Sequence, residues 1–341
     1  MSLTAKTEPH TTAHRRIDWV DQVKGFTIFL VVYGHNFPFC EKYIYSFHMP
    51  LFIMAAGFFH GKTSAWVQTK KRFKALILPY FLWSLFLFAV WFFVTRHYGD
   101  SATLGLSPTK NFIGVVTAQG DRAYMDWGIP MWFLPMLFVT SVVMSWVLAF
   151  KNTVGQIVSI SVLVILGFIY AHLSSVRLPW SADIALVALF FYALGFYCFR
   201  WLAALSKNLT FVVLIVCALL HTLLYGLNLK IDMYRAIYGN PALFVLAGVT
   251  GSLMVLCFFK LFPVFKFLGF IGQFSLTILA LQLLAMTAIK FVLMLGLGQT
   301  DFNFSETERF AYAIVQIAMM VPVFLLINRY LPVLNGGPKK I

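Results

Sequence analysis

The sequence predicts an all-α, polytopic integral membrane protein of about ten transmembrane helices, with both termini on the cytoplasmic side. Three observations predict it: a composition too apolar for a water-exposed surface, a succession of apolar runs near the length of a bilayer crossing, and a bias of basic residues toward alternate connections.

Composition comes first. Of 341 residues 60% are hydrophobic and only 11% charged, with 37 Phe, and the mean hydropathy is +0.83. A soluble domain is about 45–50% apolar and about 25% charged, so this surface must be satisfied by lipid. The formal charge of +14 comes from 26 Lys and Arg against 12 Asp and Glu. In a soluble chain that balance would raise nucleic acid as a partner, but here the cations fall in short connections between apolar runs, where they set orientation. Cys40, Cys198, Cys217 and Cys257 are scattered and form no Cys-x-x-Cys pair, so no thiolate metal site is expected. The first apolar run lacks a small-residue cleavage site and continues into Glu41 and Lys42, so it is expected to stay as a helix.

The runs lie at 19–38, 44–60, 76–95, 129–149, 153–173, 181–200, 208–226, 240–259, 268–297 and 309–328. Most approach the ~20 residues a helix needs to cross ~30 Å of hydrocarbon. With the N-terminus inside, the inner connections carry 17 Lys and Arg, among them Lys6, Arg15, Arg16, Lys339 and Lys340; the outer ones carry 8, and Lys290 lies within the ninth run. This two-to-one bias supports ten passes. A polar tail over 1–15, a membrane domain over 16–330 and a short cytoplasmic tail over 331–341 complete the division. No internal repeat is evident. The longest outer connection, 96–128, holds Asp100, Asp121, Arg122, Asp126 and Trp127; it reads either as an interfacial aromatic belt or as a lid over a cavity.

Polar residues within apolar runs carry the chemistry. Asp21 and Lys24 near the start of the first helix are three apart and share a face, as a charge anchor or as part of a site. His35 lies eleven residues beyond Lys24, a rise of ~16 Å, and His48 follows across a short reversal, so the two imidazoles are expected at similar depth. Histidine titrates near neutrality and is the usual proton-transfer group; two histidines that merely bridge helices are the plainer reading. With no carboxylate or cysteine cluster beside them, no metal is expected. Lys71, Arg72 and Lys74 enter the third run as a positive anchor or as a phosphate-binding group, with Arg72 able to grip in bidentate fashion. In the ninth run Gln273, Ser275 and Gln282 need partners inside the bundle, singly as packing contacts or together as the lining of a polar cavity.

At these points the chain resembles the membrane-bound acyltransferase family 3, and more closely its fucose 4-O-acetylase-like branch. The resemblance covers roughly 16–330. It rests on Asp21-x-x-Lys24-Gly25 with Gly34-His35, on Ser46-Phe-His-Met-Pro-Leu-Phe52 with Gly57-Phe-Phe59, on Arg72-Phe-Lys-Ala-Leu-Ile-Leu-Pro-Tyr80, and on Met131-Trp-Phe-Leu-Pro-Met-Leu-Phe138. It implies a bundle of about ten helices in a bacterial inner membrane, moving an acyl group from cytoplasmic acetyl-CoA or another acyl-CoA to a hydroxyl of a sugar or cell-envelope glycan. The family's essential histidine maps onto His35 and the branch's additional histidine onto His48. The donor-associated basic motif maps onto Lys71 to Lys74. The motif's second arginine falls at Ala75, and the histidine that often follows Gly-x-x-Ser-Leu is replaced by Gln282, which can position a hydroxyl but cannot act as a base.

In the mechanism this implies, His35 takes the hydroxyl proton or itself carries the acyl group. His48 orients the acceptor or the oxyanion, and Asp21 with Lys24 supports the donor mouth. The rival readings are a transporter of a small polar or lipid-linked solute and a non-catalytic partner of a glycan-assembly complex.

Overall fold

The structure, a computed structural model, describes residues 17–299 and 302–337, with Asp100 described by its backbone alone. The tail over 1–15, Arg16, Lys339 and Lys340 lie outside the described residues. In chain order the α-helices are α1 (Asp18–Gly34), α2 (Glu41–Tyr45), α3 (His48–Gly57), α4 (Ala65–Arg72), α5 (Leu78–Phe93), α6 (Gly99–Thr103), α7 (Pro108–Thr117), α8 (Arg122–Met125) and α9 (Phe133–Val147). The second half adds α10 (Thr153–Leu173), α11 (Ala182–Ala204), α12 (Lys207–Leu227), α13 (Pro241–Leu261), α14 (Lys266–Gln273), α15 (Ser275–Leu297) and α16 (Glu306–Tyr330). The one β feature among the described residues is an isolated bridge between Asp232 and Ile237.

Eight helical stretches among the described residues are long and apolar enough to cross a membrane, from Ala65–His97 to Glu306–Tyr330. They correspond to the last eight apolar runs. The first two runs are shorter as helices, 17 residues in α1 and 10 in α3. The cause is local: Phe37 takes a left-handed φ of 53° and Pro38 follows it, and a residue before proline is disfavoured in the α conformation. The reversal that results is packed inside the bundle, with Ile44, Ser46 and Phe47 buried. The ninth run also differs from a single helix. It breaks at Phe274, which leaves the helical region at φ −107° and ψ 14°, so that α14 and α15 are separate.

Two helix crossings hold the centre, α1 on α14 and α3 on α11. At the first, a Cβ on Gly25 would collide with the backbone carbonyl of Leu268, and one on Gly272 with that of Asp21. Glycines allow backbones to approach this closely, the general device of helix packing in lipid. The glycine of the Asp21-x-x-Lys-Gly25 motif is therefore a packing residue. Gln22 closes the same junction, donating to the Pro263 carbonyl at 3.1 Å and accepting from the Phe265 N–H at 3.1 Å. Gly25→Leu is expected to overpack by about 1–3 kcal/mol or more and to lower the thermal midpoint in detergent by several degrees. Gly226→Ala, with nothing within 4 Å of the added carbon, serves as the control and should leave it unchanged.

The long connection folds into α6, α7 and α8. Its polar groups are satisfied internally. Asp126 accepts from Trp91 Nε1 at 2.8 Å, Ser101 Oγ at 2.6 Å and Arg122 Nε at 2.7 Å, and the Trp127 indole donates to the Asn111 carbonyl at 3.0 Å. Beside it, Arg177 pairs with the buried Asp183 at 2.9 Å and donates to the Tyr234 carbonyl, tying the start of α11 to the connection 228–240.

Candidate active site

The basic motif is shaped by an irregular turn. Between α4 and α5 the residues Phe73–Ile77 form a π-helical turn, a local widening often found at functional sites. Pro79, which has no N–H to give the ladder, follows at once. Arg72, Ala75 and Leu76 line a cavity of about 310 Å³. Lys71 and Lys74 are exposed and do not line it.

Two cations stand at one end of this cavity. Lys24 pairs with Asp21 at 3.4 Å and lies 4.3 Å from the Phe59 ring centroid. Arg72 Nη2 donates to the Phe59 carbonyl at 3.0 Å, so Phe59 is held by both. The buried Nε of Arg72 has no hydrogen-bond partner, and no carboxylate pairs with this guanidinium among the described residues. A guanidinium facing a cavity with donor capacity to spare suits a phosphate or carboxylate. Asp21 itself does not line the cavity. It lies fourteen residues before His35, about 21 Å along a helix, so the two do not share a reacting centre.

Beyond the cations the walls are apolar: Ile28 and Val31 of α1, Met49, Phe52 and Ala56 of α3, and Phe133, Leu134 and Leu137 of α9. The cavity therefore runs about 10 Å along α1, from Lys24 to Val31. Val31 and Met49 mark its far end, and both adjoin the histidines. The Val31 carbonyl accepts from His35 Nδ1 at 2.7 Å, and the Ile44 carbonyl accepts from His48 Nδ1 at 2.8 Å.

These two bonds decide the tautomers. A ring nitrogen facing a carbonyl must carry the proton, which leaves Nε2 as the lone-pair nitrogen in both rings. No described group bonds either Nε2. Two other buried histidines, which sequence reading did not weigh, differ in that both nitrogens are engaged. His60 contacts Tyr192 Oη at 2.9 Å and Ser145 Oγ at 3.4 Å, while His221 contacts the Ala247 carbonyl at 3.0 Å and Ser46 Oγ at 3.3 Å. His60 and His221 are thus structural, whereas His35 and His48 have a nitrogen to offer. Of these two His35 is the more exposed.

The three polar residues of the ninth run part company. Ser275 lines the cavity. Gln273 side-chain Nε2 turns back to the Gly269 carbonyl at 3.3 Å. Gln282 is buried, donates to the Leu279 carbonyl, leaves its Oε1 unpartnered, and does not line the cavity.

The structure adds two lining residues that the sequence does not announce, Asn335 and Gly336. The turn Pro332–Asn335 is anchored by the Trp83 indole, which donates to the Leu334 carbonyl at 2.9 Å. Asn335 Nδ2 donates to the Gln273 carbonyl freed by the helix break, at 3.2 Å, and its Oδ1 accepts from Thr277 at 3.4 Å. Residues just after 330 therefore form part of the cavity wall and are not merely a tail. Gly336 lies against the Ala75 carbonyl, at the position where the family's second arginine is missing.

Among the described residues no three His, Cys, Asp or Glu side chains converge in a metal-ligating group. The family model of an acyltransferase domain, Acyl_transf_3, matches residues 17–329. No curated protein and no solved structure matches the chain. With eight apolar helices long enough to span a bilayer and a match over nearly its whole length, the chain belongs to the membrane-bound acyltransferase family 3 and is an acyl-CoA-dependent O-acyltransferase.

Proposed function

We propose that the protein transfers an acyl group, acetyl in the first instance, from cytoplasmic acyl-CoA to a hydroxyl of a sugar or cell-envelope glycan. In this reading it belongs to the fucose 4-O-acetylase-like branch, lies in a bacterial inner membrane and makes ten passes, with α1 and α3 as the first two. The observation that carries the reading is one continuous cavity that begins at Lys24 and Arg72 and ends at Val31 and Met49, beside two histidines whose Nε2 atoms no described group bonds.

The donor's phosphates lie at Arg72 and Lys24, on the end that the excess of basic connections assigns to the cytoplasm. Its pantetheine arm follows the apolar walls, with Ser275 and Asn335 as the polar groups available to its amides. The acyl carbon reaches the far end, where side-chain movement of Val31 or Met49 admits it to the histidines. His35 Nε2 removes the proton of the acceptor hydroxyl as that oxygen bonds to the acyl carbon. The C–S bond breaks, and the proton passes from the imidazolium to the departing thiolate. His48, whose Nδ1–H is committed to the Ile44 carbonyl, accepts at Nε2 and so positions the acceptor through one of its hydroxyls.

The break at Phe274 is the feature a transporter would share. Its freed Gln273 carbonyl is bonded by Asn335, not presented to a solute. Purified protein given [14C]acetyl-CoA and a panel of membrane glycans is expected to release CoA in equal amount to label incorporated in one glycan. Solute movement in proteoliposomes without CoA release would replace this reading with the transporter.

A further inference from the structure

Above the histidines a polar assembly is built from two connections. Glu41 starts α2, and its Oε2 accepts from Lys230 Nζ at 2.7 Å. The Glu41 side chain is 16% exposed and that of Lys230 51%. Lys230 also lies 5.5 Å from the centroid of the Tyr45 ring. Tyr45 in turn lies against His48, ring centroids 5.0 Å apart, and its hydroxyl donates to the Gly34 carbonyl at 3.4 Å, the residue before His35. Glu41 and His35 stand on the two sides of one short reversal, Glu41 at the start of α2 and His35 at the end of α1. Tyr45 therefore joins the pair to the His48 ring and to the backbone beside His35.

We propose that Glu41, held by Lys230, is a positioning residue for the transfer step, stabilising the imidazolium formed on His35 across the reversal and, through Tyr45, holding the His48 ring and the backbone that carries His35. The proposal rests on the transferase reading above. A general base gains charge as it works, and a nearby carboxylate in a low-dielectric setting lowers the cost of that charge. A paired carboxylate is also geometrically fixed, so it need not reorganise when the proton arrives. Lys230 both holds Glu41 and moderates its field.

Asp232 and Tyr234, from the same connection as Lys230, face Tyr45. Burial raises the Asp232 carboxyl above its ordinary range, while Arg235 opposes that shift. On α16 the Glu306 and Arg309 pair, 3.2 Å apart, holds the backbone of the reversal at Phe39 and Phe37.

The test is a titration of His35 in ring-13C-histidine protein in detergent, its signal assigned by its loss in His35→Asn. Glu41→Gln is expected to move the midpoint to lower pH by about half a unit or more, and Lys230→Met to move it to higher pH. A merely structural pair would give both variants the same displacement or none. In [14C]acetyl-CoA turnover at saturating donor, Glu41→Gln should lower kcat about tenfold without raising KM for acetyl-CoA, and the acidic limb of its pH profile should follow the titration. Coincident midpoints in folded variants, or no titration in any of them, overturn the proposal. Opposite midpoint shifts in a protein that transfers no label would instead remove the transferase reading and leave the electrostatic coupling standing.

Discussion

His35→Ala is expected to lower acyl transfer by about 10²–10⁴-fold, the range a positioned general base contributes. The substitution removes one side-chain contact, the Nδ1 bond to Val31, from a half-buried position, so folding should persist. The comparison is made at equal folded yield, with labelled acyl-CoA and the acceptor found by the glycan panel. Turnover within threefold of wild type would exclude His35 as the base. His48→Ala should be less severe, because in the proposed mechanism that ring orients the acceptor and does not take the proton.

Arg72→Ala is expected to raise KM for acetyl-CoA about 10–100-fold with a smaller change in kcat. Hydrogen bonds to charged groups contribute about 1.5–3 kcal/mol, and about 1.4 kcal/mol is tenfold in affinity. Arg72→Lys should recover only part of the loss, since an ammonium lacks the planar fork. Lys71→Ala and Lys74→Ala, whose side chains point away from the cavity into exposed positions, should stay within about twofold of wild type. An unchanged KM in Arg72→Ala would remove the donor from this end of the cavity.

These expectations differ from those the motif alone supplies. In the sequence Lys71, Arg72 and Lys74 form one basic run, in which only the guanidinium of Arg72 stands out. The structure separates them: Arg72 lines the cavity, whereas Lys71 and Lys74 are exposed, and Lys74 lies within the π-helical turn that follows Arg72. His35 and His48 were legible because a short reversal between two apolar runs leaves few relative placements. The apolar runs were legible for the same reason that membranes are simple solvents: length and hydrophobicity decide.

Asn335 was not legible, being one amide in a short segment after the last helix. Its role depends on a helix break at Phe274 that the uninterrupted apolar sequence conceals. The shortening of α1 had a local signal in Asn36-Phe37-Pro38, one that a window average over hydropathy smooths away. Glu41 and Lys230 are 189 residues apart in sequence, and only the packing of the connections brings them together.

Asn335 also has a consequence for the order in which the protein is made. Chains emerge at about 5–20 residues per second, and Asn335 follows every helix of the bundle. When α15 is first synthesised, the Gln273 carbonyl at its kink has no Asn335 to bond, and the cavity stands open on that side. The turn Pro332–Asn335 closes it once it has been made. A chain interrupted after α16 would hold both histidines and Arg72 and still present an incomplete donor chamber, so the chamber is complete only once the turn behind α16 has been added.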